Sequence, residues 1–305
     1  MRRLIVVLAG VAVAAAALAA WGVAAPSTVT GTGEIAAAVP KAPPLPAEVK
    51  ARKRWIIGVK CDFPPFGYID VRGRNAGYDV EVARELAELA FGKRNRVALV
   101  CVTTPSRIPA LQSKRVDVIV STLTFTYPRA EVIDFSIPYY GATGRLLVKN
   151  DSSIRSLRDL AGKTVVTTRG ALYATWVRNC FKDTNLLEVD SPSAALLTVK
   201  DGRADTFMFD DAFLLGVASQ DREVKMTSDK FLALPWGIGI RKGEAGMVAW
   251  VNWALRRMKA RDRFFTFLKN NAAPRLVADF ADTVPRPNNT LRYPPQGEDP
   301  LVKCP

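Results

Sequence analysis

Two hydrophobic periods alternate along the chain. Residues 55–60 (Trp-Ile-Ile-Gly-Val-Lys) form a short apolar run, the pattern of a buried strand. Residues 79–91 follow a helical period. Val80, Ala83, Ala87 and Ala90 fall on one face, Asp79 is placed to cap the start, and Gly92 stops the end. Residues 97–102 predict a second strand, 106–114 a helix and 116–120 a third strand. This order implies parallel strands with helices packed on both faces. The pattern restarts after Gly144. Strands are expected at 144–148, 164–168, 186–189 and 205–209, and helices at 172–181, 193–200 and 211–218. A strand at 234–240 and helices at 247–258 and 263–268 are surplus to this second unit. Two α/β units that face each other make a cleft, with ligands at the carboxyl ends of the strands.

The two ends break the pattern. Arg2 and Arg3 precede an uncharged stretch, 4–25, of mostly Ala, Val and Leu. It reads as a secretory signal with a cut near Ala24 or Ala25, or as an uncleaved N-terminal anchor, since its length also suits a bilayer. Residues 26–53 are rich in Pro, Ala, Thr and Gly and read as an extended tether. Residues 281–305 read as a tail. Gly31-Thr-Gly33-Glu-Ile-Ala36 matches a dinucleotide fingerprint by letters only, because it follows no strand. Gly162-Lys163-Thr164 lacks the first glycine of a phosphate loop, whose place Leu157 takes.

Composition then removes whole classes of chemistry. The 305 residues contain no histidine, so a Ser-His-Asp triad, a Cys-His pair and a His-ligated zinc are all excluded. The four cysteines, Cys61, Cys101, Cys180 and Cys304, form no C-x-x-C, so no structural zinc site is expected. Forty-three Lys and Arg against 29 Asp and Glu give a net charge of +14, which points to anionic partners or simply to solubility.

Several motifs follow one another in a definite order. They are Cys61-Asp-Phe-Pro-Pro-Phe66, Gly77-Tyr-Asp-Val80, Ser121-Thr-Leu-Thr-Phe-Thr-Tyr-Pro-Arg129, Asp134-Phe-Ser136, Pro138-Tyr-Tyr140, Leu160-Ala-Gly-Lys163 and Asp201-Gly-Arg-Ala-Asp205. Together they resemble the family 3 extracellular solute-binding proteins of ATP-driven amino-acid transporters, and most closely the aspartate- and glutamate-binding members. The resemblance implies a two-lobed periplasmic-binding-protein fold of type II. Lobe one would comprise 54–143 and 234–280, lobe two 144–233, with two hinge strands between them. It also implies a secreted or tethered monomer that closes on an amino acid and docks on a membrane permease. No cofactor, nucleic acid or catalysis is implied. Two rival functions remain: a dehydratase-type enzyme on the same scaffold, or a ligand-sensing module for a membrane receptor.

The same resemblance assigns the ligand contacts. Arg129 matches the arginine that grips the α-carboxylate, which suits a guanidinium fork. Ser121, Thr122 and Thr124 match its hydroxyl and backbone contacts. Asp210 matches the carboxylate for the α-ammonium, while its rival Asp211 suits a helix cap. Phe63 and Phe66 are candidates for an apolar wall. Lys60 and Arg107 resemble the side-chain pocket of the acidic-ligand members, so three cations would face the two carboxylates of glutamate or aspartate. Gly170 and Ala171 stand where many relatives carry Gly-Thr or Gly-Ser. Backbone N–H groups could still bind an anion there, and Arg169 would either substitute or point to solvent. In the implied fold Cys61 and Cys101 end neighbouring strands, so a bridge between them is conceivable. Cys180 and Cys304 would then remain to pin the tail to lobe two.

Overall fold

The computed structural model describes residues 40–299, 301, 302, 304 and 305. The expected signal or anchor, and the tether up to residue 39, lie outside the described residues.

The first sheet runs in the order Val97–Cys101, Trp55–Val59, Val118–Ile119, Gly239–Arg241, Ile133–Phe135. Trp55–Val59 pairs in parallel with both of its neighbours, with Trp55 opposite Val97 and Ile57 opposite Val118. Gly239–Arg241 is antiparallel to both of its own. Apolar runs suit the centre of such a sheet because they are covered on both faces. Trp55, Ile57 and Val59 are accordingly buried.

The second sheet runs Asn185–Val189, Thr164–Thr168, Thr206–Asp210, Tyr140–Lys149, Val224–Met226, and Phe231–Trp236 also pairs with Tyr140–Lys149. Its first three strands are parallel. Every residue of Thr206–Asp210 is buried. Each sheet, with the helices packed on it, forms one lobe.

Tyr140–Lys149 and Phe231–Trp236 run antiparallel as a pair, with Tyr140 opposite Trp236. Sequence patterning places these strands at 144–148 and 234–240. The ladder instead begins at Tyr140, and the late strand divides into Phe231–Trp236 and Gly239–Arg241, one for each sheet. Apolar residues continue through the break, so the period alone does not reveal it.

The helix Tyr78–Phe91 corrects one expectation. Its N-cap is Gly77 at φ 119°, where a Cβ would overlap the Phe66 carbonyl. Asp79 caps nothing. It is fully buried and accepts the Thr122 N–H. Gly92 ends the helix in the left-handed region, with its N–H donating to the Glu88 carbonyl.

The described parts of both flanking segments are more ordered than their composition suggests. Ala47–Arg52 is a helix with Val49 buried, and the Trp253 indole N–H donates to the Pro40 carbonyl at 2.6 Å. The tail is packed rather than free: Val284 is buried, and Cys304 is bonded to Cys180. Cys61 and Cys101 form the other disulfide, with Cα atoms 5.5 Å apart.

Candidate functional site

The cleft is built at the carboxyl ends of the parallel strands. Lys60 follows Trp55–Val59, Ser121 to Thr124 follow Val118–Ile119, and Asp210 ends Thr206–Asp210. The helix Arg107–Gln112 carries Arg107, and Tyr127–Val132 carries Arg129. The Thr126 hydroxyl caps that second helix by accepting from the Arg129 N–H at 3.3 Å. From lobe two, Gly170 and Ala171 lead into Leu172–Cys180.

Arg129 bridges the lobes. Its Nη1 donates to the Thr124 carbonyl at 2.8 Å, and its Nη2 to the Gly170 carbonyl at 3.0 Å. Burial lowers its pKa to about 10, and Asp210 works against that fall. Gly170 has φ 76°, and an added Cβ would meet the Pro105 Cα at 3.1 Å. A glycine is needed there for both conformation and closeness.

Arg107 is 4% exposed. Its Nη1 donates to the Ser121 and Thr122 carbonyls at 2.7 and 3.0 Å. Burial, followed by the charge of Arg129, lowers its pKa to about 9. Thr122 sits at φ 49°, unusual for a residue with a branched side chain. Its N–H donates to Asp79 Oδ2 at 2.9 Å, and the Tyr139 hydroxyl donates to Asp79 Oδ1 at 3.0 Å. The loop is thus clamped through its N–H by Asp79 and through its carbonyls by Arg107. Strain of this kind persists where the surroundings over-determine the backbone.

Asp210 accepts the Tyr173 hydroxyl on Oδ1 at 2.7 Å. Desolvation raises its pKa to about 7. Asp211 adds to the rise, while the Tyr173 hydrogen bond and the charges of Arg107 and Arg129 oppose it. Asp211 itself is occupied by lobe two. Its carboxylate accepts from the Thr143 N–H at 3.1 Å and from the Thr143 hydroxyl at 2.6 Å.

These groups surround one small, narrow cavity between the lobes. Arg107, Thr122, Thr124, Arg129, Ala171 and Asp210 line it, together with Thr104, Leu172, Tyr173 and Phe209, which sequence reasoning missed. Ser121, Gly170 and Lys60 are not among the lining residues, although Lys60 donates to Thr104, which is. Phe63 does not face it. Phe63 packs between lobes against Phe213 at 5.2 Å and Phe209 at 5.6 Å, so Phe209 takes the place of the expected wall. Phe66 packs on Tyr140 and Trp236 at the strand crossing. Arg169 pairs with Asp190 at 3.0 Å and is exposed.

Lys60 carries an unforeseen partner. Its ammonium, 1% exposed, lies 2.9 Å from Asp62 Oδ1 and donates to Thr104 Oγ1 at 3.1 Å. Burial lowers its pKa, and Asp62 opposes that change. No apolar period marks Asp62 or Tyr173, because a hydrophobic pattern records burial and not charge pairing.

Charged groups of both signs thus line one cavity between the two lobes. A family model described as bacterial extracellular solute-binding proteins, family 3, matches residues 55–269. The chain belongs to that family. It is a binding protein rather than an enzyme, and its two α/β lobes have the type II periplasmic-binding-protein architecture of its relatives. It is 36% identical over 197 residues to the glutamine-binding protein of Geobacillus stearothermophilus, covering 64% of this chain and 75% of the relative. It is 31% identical over 220 residues to the ABC transporter glutamine-binding protein GlnH of Bacillus subtilis, covering 72% and 81%. Among solved structures, an ancestral arginine-binding protein bound to glutamine is similar at 31% identity and a TM-score of 0.67, covering 72% of this chain and 97% of that one.

Proposed function

We propose that the protein is the extracytoplasmic amino-acid-binding component of an ABC-type uptake system, and that its ligand is L-glutamate or L-aspartate. Arg129 takes the α-carboxylate and Asp210 the α-ammonium. Arg107 receives the side-chain carboxylate. One observation carries this reading: Arg107, Arg129 and Asp210 line one cavity, and of the three guanidinium nitrogens of Arg107 only Nη1 has a hydrogen-bond partner among the described residues. Once the zwitterion is matched by Arg129 and Asp210, Arg107 is a cation in search of an acceptor. A cationic side chain would meet like charge in a desolvated site, which costs several kcal/mol. The lobes close on the ligand, and the closed form docks on a membrane permease. Residues 1–25 deliver or anchor the chain at the outer face of the membrane. Among the described residues, no helix is long and apolar enough to cross a membrane.

Asp62 favours a second reading, L-glutamine. By pairing with Lys60 it removes one of the three cations counted on for an acidic ligand. A side-chain amide still offers its carbonyl to Arg107, and the similarity to glutamine-binding proteins supports the same choice. Isothermal titration with L-glutamate, L-aspartate, L-glutamine and L-arginine separates the two. Tightest binding of an acidic amino acid supports the first reading, and tightest binding of glutamine the second. Tightest binding of arginine overturns both.

A further inference from the structure

The amino-acid site uses none of the C-terminal segment, yet that segment is built against it. Its start is fixed to lobe one, where the Arg286 guanidinium pairs with Asp262 at 2.6 Å. Tyr293 then lies over Phe125, with ring centroids 4.2 Å apart and planes within 19°. Its hydroxyl donates to the Ser136 carbonyl at 2.6 Å, and the Tyr127 hydroxyl donates to the Pro294 carbonyl at 2.8 Å. Phe125 and Tyr127 flank Thr126, the cap of the helix that carries Arg129. The segment therefore braces the carboxylate-binding arginine from outside.

It continues to lobe two. The Asn179 side chain donates to the Leu301 carbonyl at 3.1 Å, and Cys304 is bonded to Cys180 at the end of Leu172–Cys180. Leu301 is 9% exposed and lines a second cavity with Pro128, Arg129, Leu172 and Arg178. Arg129 and Leu172 also line the amino-acid cavity, so Leu301 stands at the edge of the cleft where the two lobes meet.

We propose that residues 293–304 are a covalent strap across the cleft, which restrains separation of the lobes, with Tyr293 as a positioning residue for the Arg129 helix. Separation moves Pro294 away from Cys304. Between them the chain is folded back on itself by a 3₁₀ turn, Gln296–Glu298, and by the Val302 N–H donating to the Asp299 carbonyl. These turns must unwind, or Tyr293 must leave Phe125, before the lobes part widely. Even fully extended, ten residues reach only about 35 Å. The disulfide makes the lobe-two end permanent, so the weaker aromatic end yields first.

The test uses the full chain without added amino acid, so its outcome does not depend on which ligand the cleft prefers. Small-angle scattering compares the wild type with Cys180→Ser/Cys304→Ser, with Cys61→Ser/Cys101→Ser as the control bridge. The strap predicts a larger radius of gyration for the first variant alone, although both lose thermal stability. Tyr293→Ala keeps both bridges and serves if the double variant fails to fold. It should also widen the free protein, and it should raise the dissociation rates of L-glutamate and L-glutamine about two- to tenfold, the worth of one aromatic stack. Tyr293→Phe, which keeps the stack, should restore most of the wild-type rate. An unchanged radius of gyration in both the Cys180→Ser/Cys304→Ser and Tyr293→Ala variants, with only a lowered melting temperature, overturns the proposal and leaves the bridge as a staple of the fold.

Discussion

If Asp210 holds the ligand ammonium as proposed, its ionisation sets a pH limit on ligand binding. The carboxylate is buried, and its pKa is raised to about 7 from an ordinary 3.8. Only its ionised form offers a full charge to the ligand ammonium. The ionised fraction falls from about three quarters at pH 7.5 to about 3% at pH 5.5, so affinity should weaken about 25-fold. The side chain of glutamate titrates near 4.3 and stays charged over this window. Calorimetric titration of L-glutamate at half-unit pH steps reads the effect directly. Asp210→Asn removes the charge, should cost about 2–5 kcal/mol of binding, and should flatten the pH dependence. The folded protein without ligand responds in the opposite sense. A carboxylate whose pKa is raised on folding stabilises fully below its unfolded value and loses that contribution as pH rises through about 7. Melting of the free wild type should therefore show a loss between pH 4 and pH 7 that Asp210→Asn reduces. Affinity constant within twofold from pH 5.5 to 7.5 would rule this account out. So would an Asp210→Asn variant with the wild-type slope, which would move the titration to Asp79, also raised to about 7.

Three further outcomes follow from the geometry. Arg129→Lys keeps a charge but loses the planar fork that meets the Thr124 and Gly170 carbonyls, and should weaken L-glutamate binding by about 1.5–3 kcal/mol, read by titration. Asp62→Asn uncovers the Lys60 charge, so the ratio of glutamate to glutamine affinity should rise about tenfold; an unchanged ratio removes Lys60 from the selectivity. Cys61→Ser/Cys101→Ser opens a loop 40 residues long, and should lower unfolding free energy by about 4 kcal/mol in a denaturant titration.

Much of this protein is legible from local chemistry. Short apolar runs mark Trp55–Val59 and the Phe-Met-Phe centre of Thr206–Asp210, because a strand covered on both faces is mostly apolar. The motif around Arg129 points to the carboxylate grip, and Arg107, Thr122, Thr124, Ala171 and Asp210 meet it in one cavity. Part of what stays hidden depends on partners remote in sequence. Asp79 looks like a helix cap beside Gly77. Its role appears only when Thr122, 43 residues on, is brought against it.

Two α/β lobes, and a cleft that holds an arginine and a strand-end aspartate, are readable from the residues in order. They follow from period and motif, which are written in neighbouring positions. The folded arrangement was needed to learn that Lys60 is matched by Asp62 and that Phe63 serves the inter-lobe core rather than the cavity. It was needed again to learn that a proline-rich tail becomes part of the fold. Each of these depends on which surfaces come into contact. Charge pairing and ring packing act over a few ångströms of space, whatever the separation along the chain.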